Sequence, residues 1–526
     1  MSCSKIFSGD LPELTYEVIK YFQNDILTLY SCILVNRLWC RLATQLLWEN
    51  PFSVRTENYD NYIEIYLQYL NDDFKTKLKR YNIINNSLPS NTLFNYYGFL
   101  KYLNINKLIF SVINWLEAAI GDSDLVSDFI RLASDICVSL VKLFIENEVN
   151  LDVLEIDIKH TSFGINYDDI LELILQNTNF IHNNIKNLNF YIGYYKENKL
   201  LNNRILPIIK LHQNLKKVSL DHDSFFSYQS LLLSKDYNCS NTLSTIIFYY
   251  VDFEGIINLN RIFEQLNVLE SVHLINCNSL NTDFSQQVIN LTKPLKLKSL
   301  FIQELGAISE IDSLQLLIQK SCDYLENFGY DCGLIYPPGL IQIPQAMRQL
   351  FELIVKHCKN IKFLDLNIND NPIIYPALNL IENIKHNLNY LTISIHDNNG
   401  HNSIILQKLG KIIPLKLEYL HLYLYYIKAY DFEVFLKSSQ DTFTKKLLIS
   451  NITKGQDILP SIKTYIMKKR RVKYLAINGA LFRSEFVSDE LFSLEDEVKE
   501  FMLYDIKVKS YYGLAINMDD FMKEVI

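Results

Sequence analysis

Apolar residues recur along this chain in one short phrase, apolar-x-x-apolar-x-apolar, between residues 151 and 477. It reads LDVLEI from Leu151, IKNLNF from Ile185, LKKVSL from Leu215 and LSTIIF from Leu243. LESVHL from Leu269, LKSLFI from Leu297, LENFGY from Leu325 and IKFLDL from Ile361 follow, then LNYLTI from Leu388 and LEYLHL from Leu417. A weak copy surrounds residues 446–449, and the last is VKYLAI from Val472. Inside each copy the apolar positions alternate, as in a strand with one face buried. Between copies the step changes to three and four residues, as in ILELILQNTNF (170–180) and AMRQLFELIVKHCKN (346–360), which predicts helices.

Most copies are 26 to 30 residues apart, with two longer gaps of 34 and 36. One short strand, then a helix returning to the next strand, at this period resembles the leucine-rich-repeat family. The ninth position, where such repeats prefer Asn or Cys, is matched by Cys277 and Asn369 and mostly not elsewhere, so the repeats are degenerate. The fold class expected is α/β: a solenoid over 151–482 of about 12 repeats, with parallel strands on a concave face and helices on a convex one. Residues 53–150, which contain LKYLNI from Leu100, read as a helical linker and N-terminal cap shielding the first strand edge. Residues 483–526, acidic in SDELFSLEDEVKEF and ending in an amphipathic NMDDFMKEVI, read as the C-terminal cap.

Ahead of the array, residues 10–52 follow a helical period. LPELTYEVIKYF opens with Pro12 at a first-turn position, then carries Leu14, Val18, Ile19 and Phe22 at three- and four-residue steps. Asp25 can cap a second short helix and Asn36 a third, on which Leu38, Trp39, Leu42, Leu46 and Trp48 cover more than half the circumference. Three short helices enclose only a small core, so some apolar surface must lie against something else. It can pack on the rest of the chain or dock on another protein's helices, where tryptophans are typical anchors.

This segment resembles an F-box: an opening Leu-Pro, a helix with a paired aliphatic, a middle L-x-x-C-x-x-V-N-R-x-W and a closing L-W. The resemblance implies a three-helix module that binds the Skp-type linker subunit of a cullin-RING ubiquitin ligase. The residues that would do so are Leu11, Pro12, Leu14, Ile19, Val35, Arg37, Leu38, Trp39 and Trp48. The alternative, that Trp39 and Trp48 pack inward, is compatible with it, since a tryptophan can face a core and rim an interface.

Within the array, alternation sends the third, fifth and seventh positions of each phrase to the open face. Third positions bring Phe363, Tyr390 and Tyr419 into one row, and fifth and seventh positions add Asp365, Thr392, His421 and Tyr423. An aromatic patch rimmed by polar groups marks a protein contact site, here for a protein substrate. Among 34 tyrosines, however, lateral stacking that only stabilises the sheet is an equal possibility of the pattern.

Composition narrows the function. At 526 residues and 49% hydrophobic, the chain is too long for one compact core and too apolar for disorder. A net charge of −8 does not favour nucleic acid as a partner. No apolar run reaches the length of a membrane span or signal peptide, so a cytoplasmic or nuclear protein is expected. Nine scattered cysteines without C-x-x-C spacing read as free thiols, and the sequons at Asn85, Asn238, Asn290 and Asn451 as accidental. Nucleotide-loop, nucleophile-elbow and zinc-helix motifs are missing, which argues against an enzyme and calls for no cofactor or metal. His357-Cys358 are helix neighbours that point apart, and KKRRVK (468–473) fits a helix C-terminus better than an import signal. What the F-box and leucine-rich-repeat resemblance implies is a non-catalytic substrate adaptor of an SCF ligase, held to its cullin scaffold through the linker; the alternative is a plain repeat scaffold.

Overall fold

The computed structural model describes residues 12–23, 25–53, 60–80, 83, 92–120, 126–157, 167–191, 199–234, 239–303, 311–331, 342–368, 371–395, 401–451, 456–479, 490–516 and 521. Residue contacts divide the chain into two compact units, Met1–Ile246 with Leu266–Val268, and Ile247–Gln265 with Leu269–Ile526.

Three helices open the first unit: α1 (Pro12–Lys20), α2 (Ile26–Ile33) and α3 (Arg37–Glu49). The Asp25 carboxylate accepts the Thr28 N–H at 3.2 Å, and Asn36 Oδ1 accepts the Trp39 N–H at 3.0 Å, so each helix start has a donor satisfied. α3 packs on both α1 and α2. Its last turn carries Trp48, whose ring meets Tyr62, Tyr66 and Tyr96 at centroid distances of 4.9, 5.2 and 4.3 Å. That cluster ties the three helices to α4 (Asp60–Leu67), which supplies Tyr62 and Tyr66.

Among the described residues fourteen strands follow one another in the sheet in chain order, the neighbours parallel. The first unit holds β1 (Tyr102–Asn104), β2 (Leu151–Asp157), β3 (Ile185–Tyr191) and β4 (Leu215–Leu220). β5 (Thr245–Tyr249) begins at the boundary, and the second unit continues with β6 (Ser271–Ile275), β7 (Leu297–Gln303), β8 (Asn327–Asp331) and β9 (Phe363–Asn367). β10 (Tyr390–Ile395), β11 (Lys416–Leu424), β12 (Phe443–Asn451), β13 (Val472–Asn478) and β14 (Lys507–Val508) complete it. β1 to β13 each fall on a copy of the repeated phrase, and helices or irregular segments connect them, so the arrangement is a repeat-like α/β solenoid type. β14 has no phrase; it is a two-residue strand inside the segment read as a cap, paired through Lys507 and Val508 to Tyr474 and Leu475.

Register preserves phrase position. Phe363 lies opposite Tyr390, Tyr390 opposite Tyr419, Tyr419 opposite Lys446 and Lys446 opposite Tyr474. Along β10 the buried Leu391, Ile393 and Ile395 alternate with the partly exposed Tyr390, Thr392 and Ser394. The leucine and isoleucine face gains about 2 kcal/mol per side chain removed from water, which is the force that fixes this register.

The basic run at 468–473 has a structural use. Arg471 is buried and donates to the Leu436 and Thr442 carbonyls, each at 3.1 Å, to Thr442 Oγ1 at 2.9 Å and to the Ser439 carbonyl. It thereby satisfies carbonyls left at the end of the helix Ala429–Ser438. The seven described cysteines are free, and burial pushes the Cys277 and Cys358 thiols up to about 12, so both are inert. Among the described residues no helix is long and apolar enough to cross a membrane.

Candidate functional site

The N-terminal helices divide their expected partner residues between two faces. Pro12, Leu14, Val35 and Arg37 are exposed and Leu38 is half-exposed. Ile19, Trp39 and Trp48, expected on the partner surface, are buried. Leu11 lies outside the described residues. Trp48 turns inward because aromatic rings from α4 and from Tyr96 surround it, and Ile19 because α3 packs across α1. The surface left outward is built from other side chains: Leu14, Val18 and Tyr21 at steps of four and three, then Leu27, Tyr30 and Leu34 at steps of three and four, with Val35 beside them. Tyr21, Leu27 and Leu34 are 86, 71 and 87% exposed. These are the spacings by which one helix presents anchors to a groove. The residue pattern marked the helices; the inward sense of Trp48 depended on α4, which the segment alone does not contain.

On the sheet of the second unit, the expected row is present. Phe363 and Tyr390 have ring centroids 6.0 Å apart at 27°, and Tyr390 and Tyr419 6.3 Å apart. The expectation that the row is open is corrected: Phe363 is 2% and Tyr419 1% exposed. The residues that cover them come from the C-terminal segment. Phe521 stands 4.3 Å from the Phe363 ring and 5.3 Å from that of Tyr390. The Ile516 N–H donates to the Tyr419 hydroxyl at 3.1 Å, and Tyr511 and Leu514 join Tyr419, Leu448 and Ala476 in one buried cluster. The Tyr511 hydroxyl is hydrogen-bonded to His421 Nε2 at 2.6 Å. Burial holds His421 neutral, lowering it to about 4.

Beside this covering segment lies a cavity of about 510 Å³, within the usual range of ligand sites. Phe363, Asp365, Thr392, His421 and Tyr423 all line it, so five of the seven residues expected on this face converge there. Gly329 lies opposite Asp365 in register, and a Cβ there would clash with the Phe301 ring, so glycine leaves that ring its place. Asp331 and Asn367 also line the space, and Asn367 Nδ2 donates to Asp331 Oδ1 at 2.7 Å. Burial and the Asp331 charge push the Asp365 carboxyl up to about 7. Tyr511 and the neighbouring strands' Asp331 and Tyr330 were not singled out from sequence; each occupies an alternating strand or tail position, and no local signal marks convergence across repeats. Among the described residues no group of three His, Cys, Asp or Glu side chains could hold a metal ion. Neither a family model nor a curated protein matches this chain.

Proposed function

We propose that this chain is a substrate-recruiting adaptor of an SCF-type ubiquitin ligase in the cytoplasm or nucleus. Its N-terminal helices would dock on a Skp-type linker subunit and so on the cullin scaffold, while its leucine-rich-type repeats would hold a protein target. A separate RING-bound enzyme would transfer ubiquitin, and the adaptor's contribution would be effective concentration, since tethering makes the transfer nearly intramolecular. The observation that carries the reading is the outward apolar stripe Leu14, Val18, Tyr21, Leu27, Tyr30 and Leu34 on a segment whose residues resemble an F-box. Exposed apolar side chains at these spacings, on helices whose Trp39 and Trp48 are already buried, fit a partner's groove.

Co-purification tests it. Tagged protein should bring down the linker and cullin, and Leu34→Asp with Val18→Asp should remove them while leaving the fold intact, because both side chains stand in solvent. Each buried anchor lost at such an interface costs about 2 kcal/mol or more, so the pair should reduce capture at least about a hundredfold. Capture that survives both changes rejects this docking surface. The second reading, a repeat scaffold without ligase function, draws on the inward packing of Trp39 and Trp48, and predicts no linker in the purified material at all.

A further inference from the structure

The cavity on the second unit's sheet face is rich in acceptors and aromatic rings. Asp365 and Asn367 stand two residues apart on β9, on one face and so about 7 Å apart. Asp365 has no hydrogen-bond or ion-pair partner among the described residues, and the Asp331 charge acts on it. Asn367 spends its amide N–H on Asp331, which leaves its buried Oδ1 without a donor. Tyr250, Tyr330, Tyr423 and Tyr511 also line the space, and among the described residues no lysine or arginine does. His421 is neutral and already bonded to Tyr511, so it supplies no cation.

Two acceptors two residues apart, one of them anionic, require an occupant with several N–H donors and a positive charge. Tyrosine rings add attraction for the same kind of group, through their faces, and contact for an alkyl stem. An anionic occupant would meet two carboxyls, and a neutral apolar one would leave both acceptors bare. We propose that this cavity takes up a lysine or arginine side chain of the bound target protein, its cationic head on Asp365 and Asn367 Oδ1 and its stem along the tyrosine rings. The volume exceeds that of one such side chain, which leaves room for the flanking backbone of the target beside Tyr511 and Ile516. The assignment rests on reading this face as the target surface, and gives that reading a chemical requirement. The raised Asp365 carboxyl agrees with it, since a positive neighbour is the interaction that would bring it back.

Ligand-observed NMR on the full chain at pH 8 tests the proposal. The probes are Nα-acetyl-arginine methylamide and Nα-acetyl-lysine methylamide, with the citrulline and norleucine analogues as neutral counterparts and putrescine as a free diamine. At least one cationic amide should bind about tenfold or more tighter than its neutral counterpart, the size expected of a charge-assisted hydrogen bond. Asp365→Asn should reduce it to the neutral level without lowering the unfolding temperature. Thr392→Lys, which puts a cation into the cavity from the chain itself, should block the probes as well. Equal binding of neutral and cationic amides, binding unchanged in both variants, or no binding overturns the proposal. Putrescine binding far tighter than either amide also overturns it, in favour of a small metabolite. Failure here with successful linker capture removes the cavity assignment alone; selective amide binding without linker capture removes the ligase reading alone.

Discussion

At Asp365 folding works against ionisation. The carboxyl rises from an ordinary value of 3.8 to about 7 because burial and Asp331 both disfavour its charged form. Below about pH 4 it is protonated in folded and unfolded chains alike, and no penalty exists. As pH climbs toward 7 the unfolded chain releases the proton first, so stability falls; above 7 the penalty is complete, roughly 4 kcal/mol for a shift of this order. Asp365→Asn should therefore raise the unfolding temperature relative to the parent at pH 8 and change it little at pH 4, measured by thermal unfolding at both. A variant no more stable than the parent at pH 8 would show that the carboxyl is not penalised there. Arg471 stands in the opposite situation, buried but hydrogen-bonded to carbonyl and hydroxyl acceptors of Leu436, Ser439, Thr442 and Tyr465. Arg471→Ala leaves those carbonyls without a donor and should lower the denaturation midpoint by an amount equivalent to roughly 3 kcal/mol, with an unchanged m-value. Lysine should not rescue it, because one ammonium cannot span acceptors held by three guanidinium nitrogens.

Strands were the most readable elements, and the reason is visible in β10. Tyr-Leu-Thr-Ile-Ser-Ile alternates without interruption, and the same alternation aligned with Phe363 and Tyr419 in the neighbouring phrases fixes both face and register. Helix starts were readable for a similar local reason, since Asp25 and Asn36 cap the next helix through their own side chains. Asn36→Ala should cost about 1 kcal/mol of the first unit's stability. The contacts of the C-terminal segment were not readable, because they are made with residues about 100 to 160 positions away: Phe521 meets Phe363, and Ile516 meets Tyr419. Its acidic run and amphipathic ending marked it only as the C-terminal cap. If this segment closes the aromatic row, a chain lacking 511–526 should bind a hydrophobic dye more strongly than the full chain while keeping its far-ultraviolet dichroism. Unchanged dye binding would mean that Phe363 and Tyr419 are shielded by other groups.

A chain of 526 residues exceeds what one compact core serves, and its two compact units each bury their own strands and helices. In repeat-like architectures each unit draws its stability from nearest neighbours, so a local change need not be felt along the array. The two proposed surfaces divide in the same manner: the outward stripe from Leu14 to Val35 belongs to the first unit, and Asp365, Asn367 and Tyr511 to the second. They share no residue. An adaptor needs only that both be occupied on one chain, because its effect on the target is a raised local concentration and not a conformational signal. Leu34→Asp with Val18→Asp should therefore remove linker capture while the affinity for the cationic amide that binds stays within about twofold, since additive sites couple by no more than about 0.5 kcal/mol. Asp365→Asn should do the reverse, losing the amide and retaining the linker. Measured on the same preparations by co-purification and ligand-observed NMR, a loss of both properties in either variant would indicate coupled sites and replace simple tethering with an allosteric adaptor.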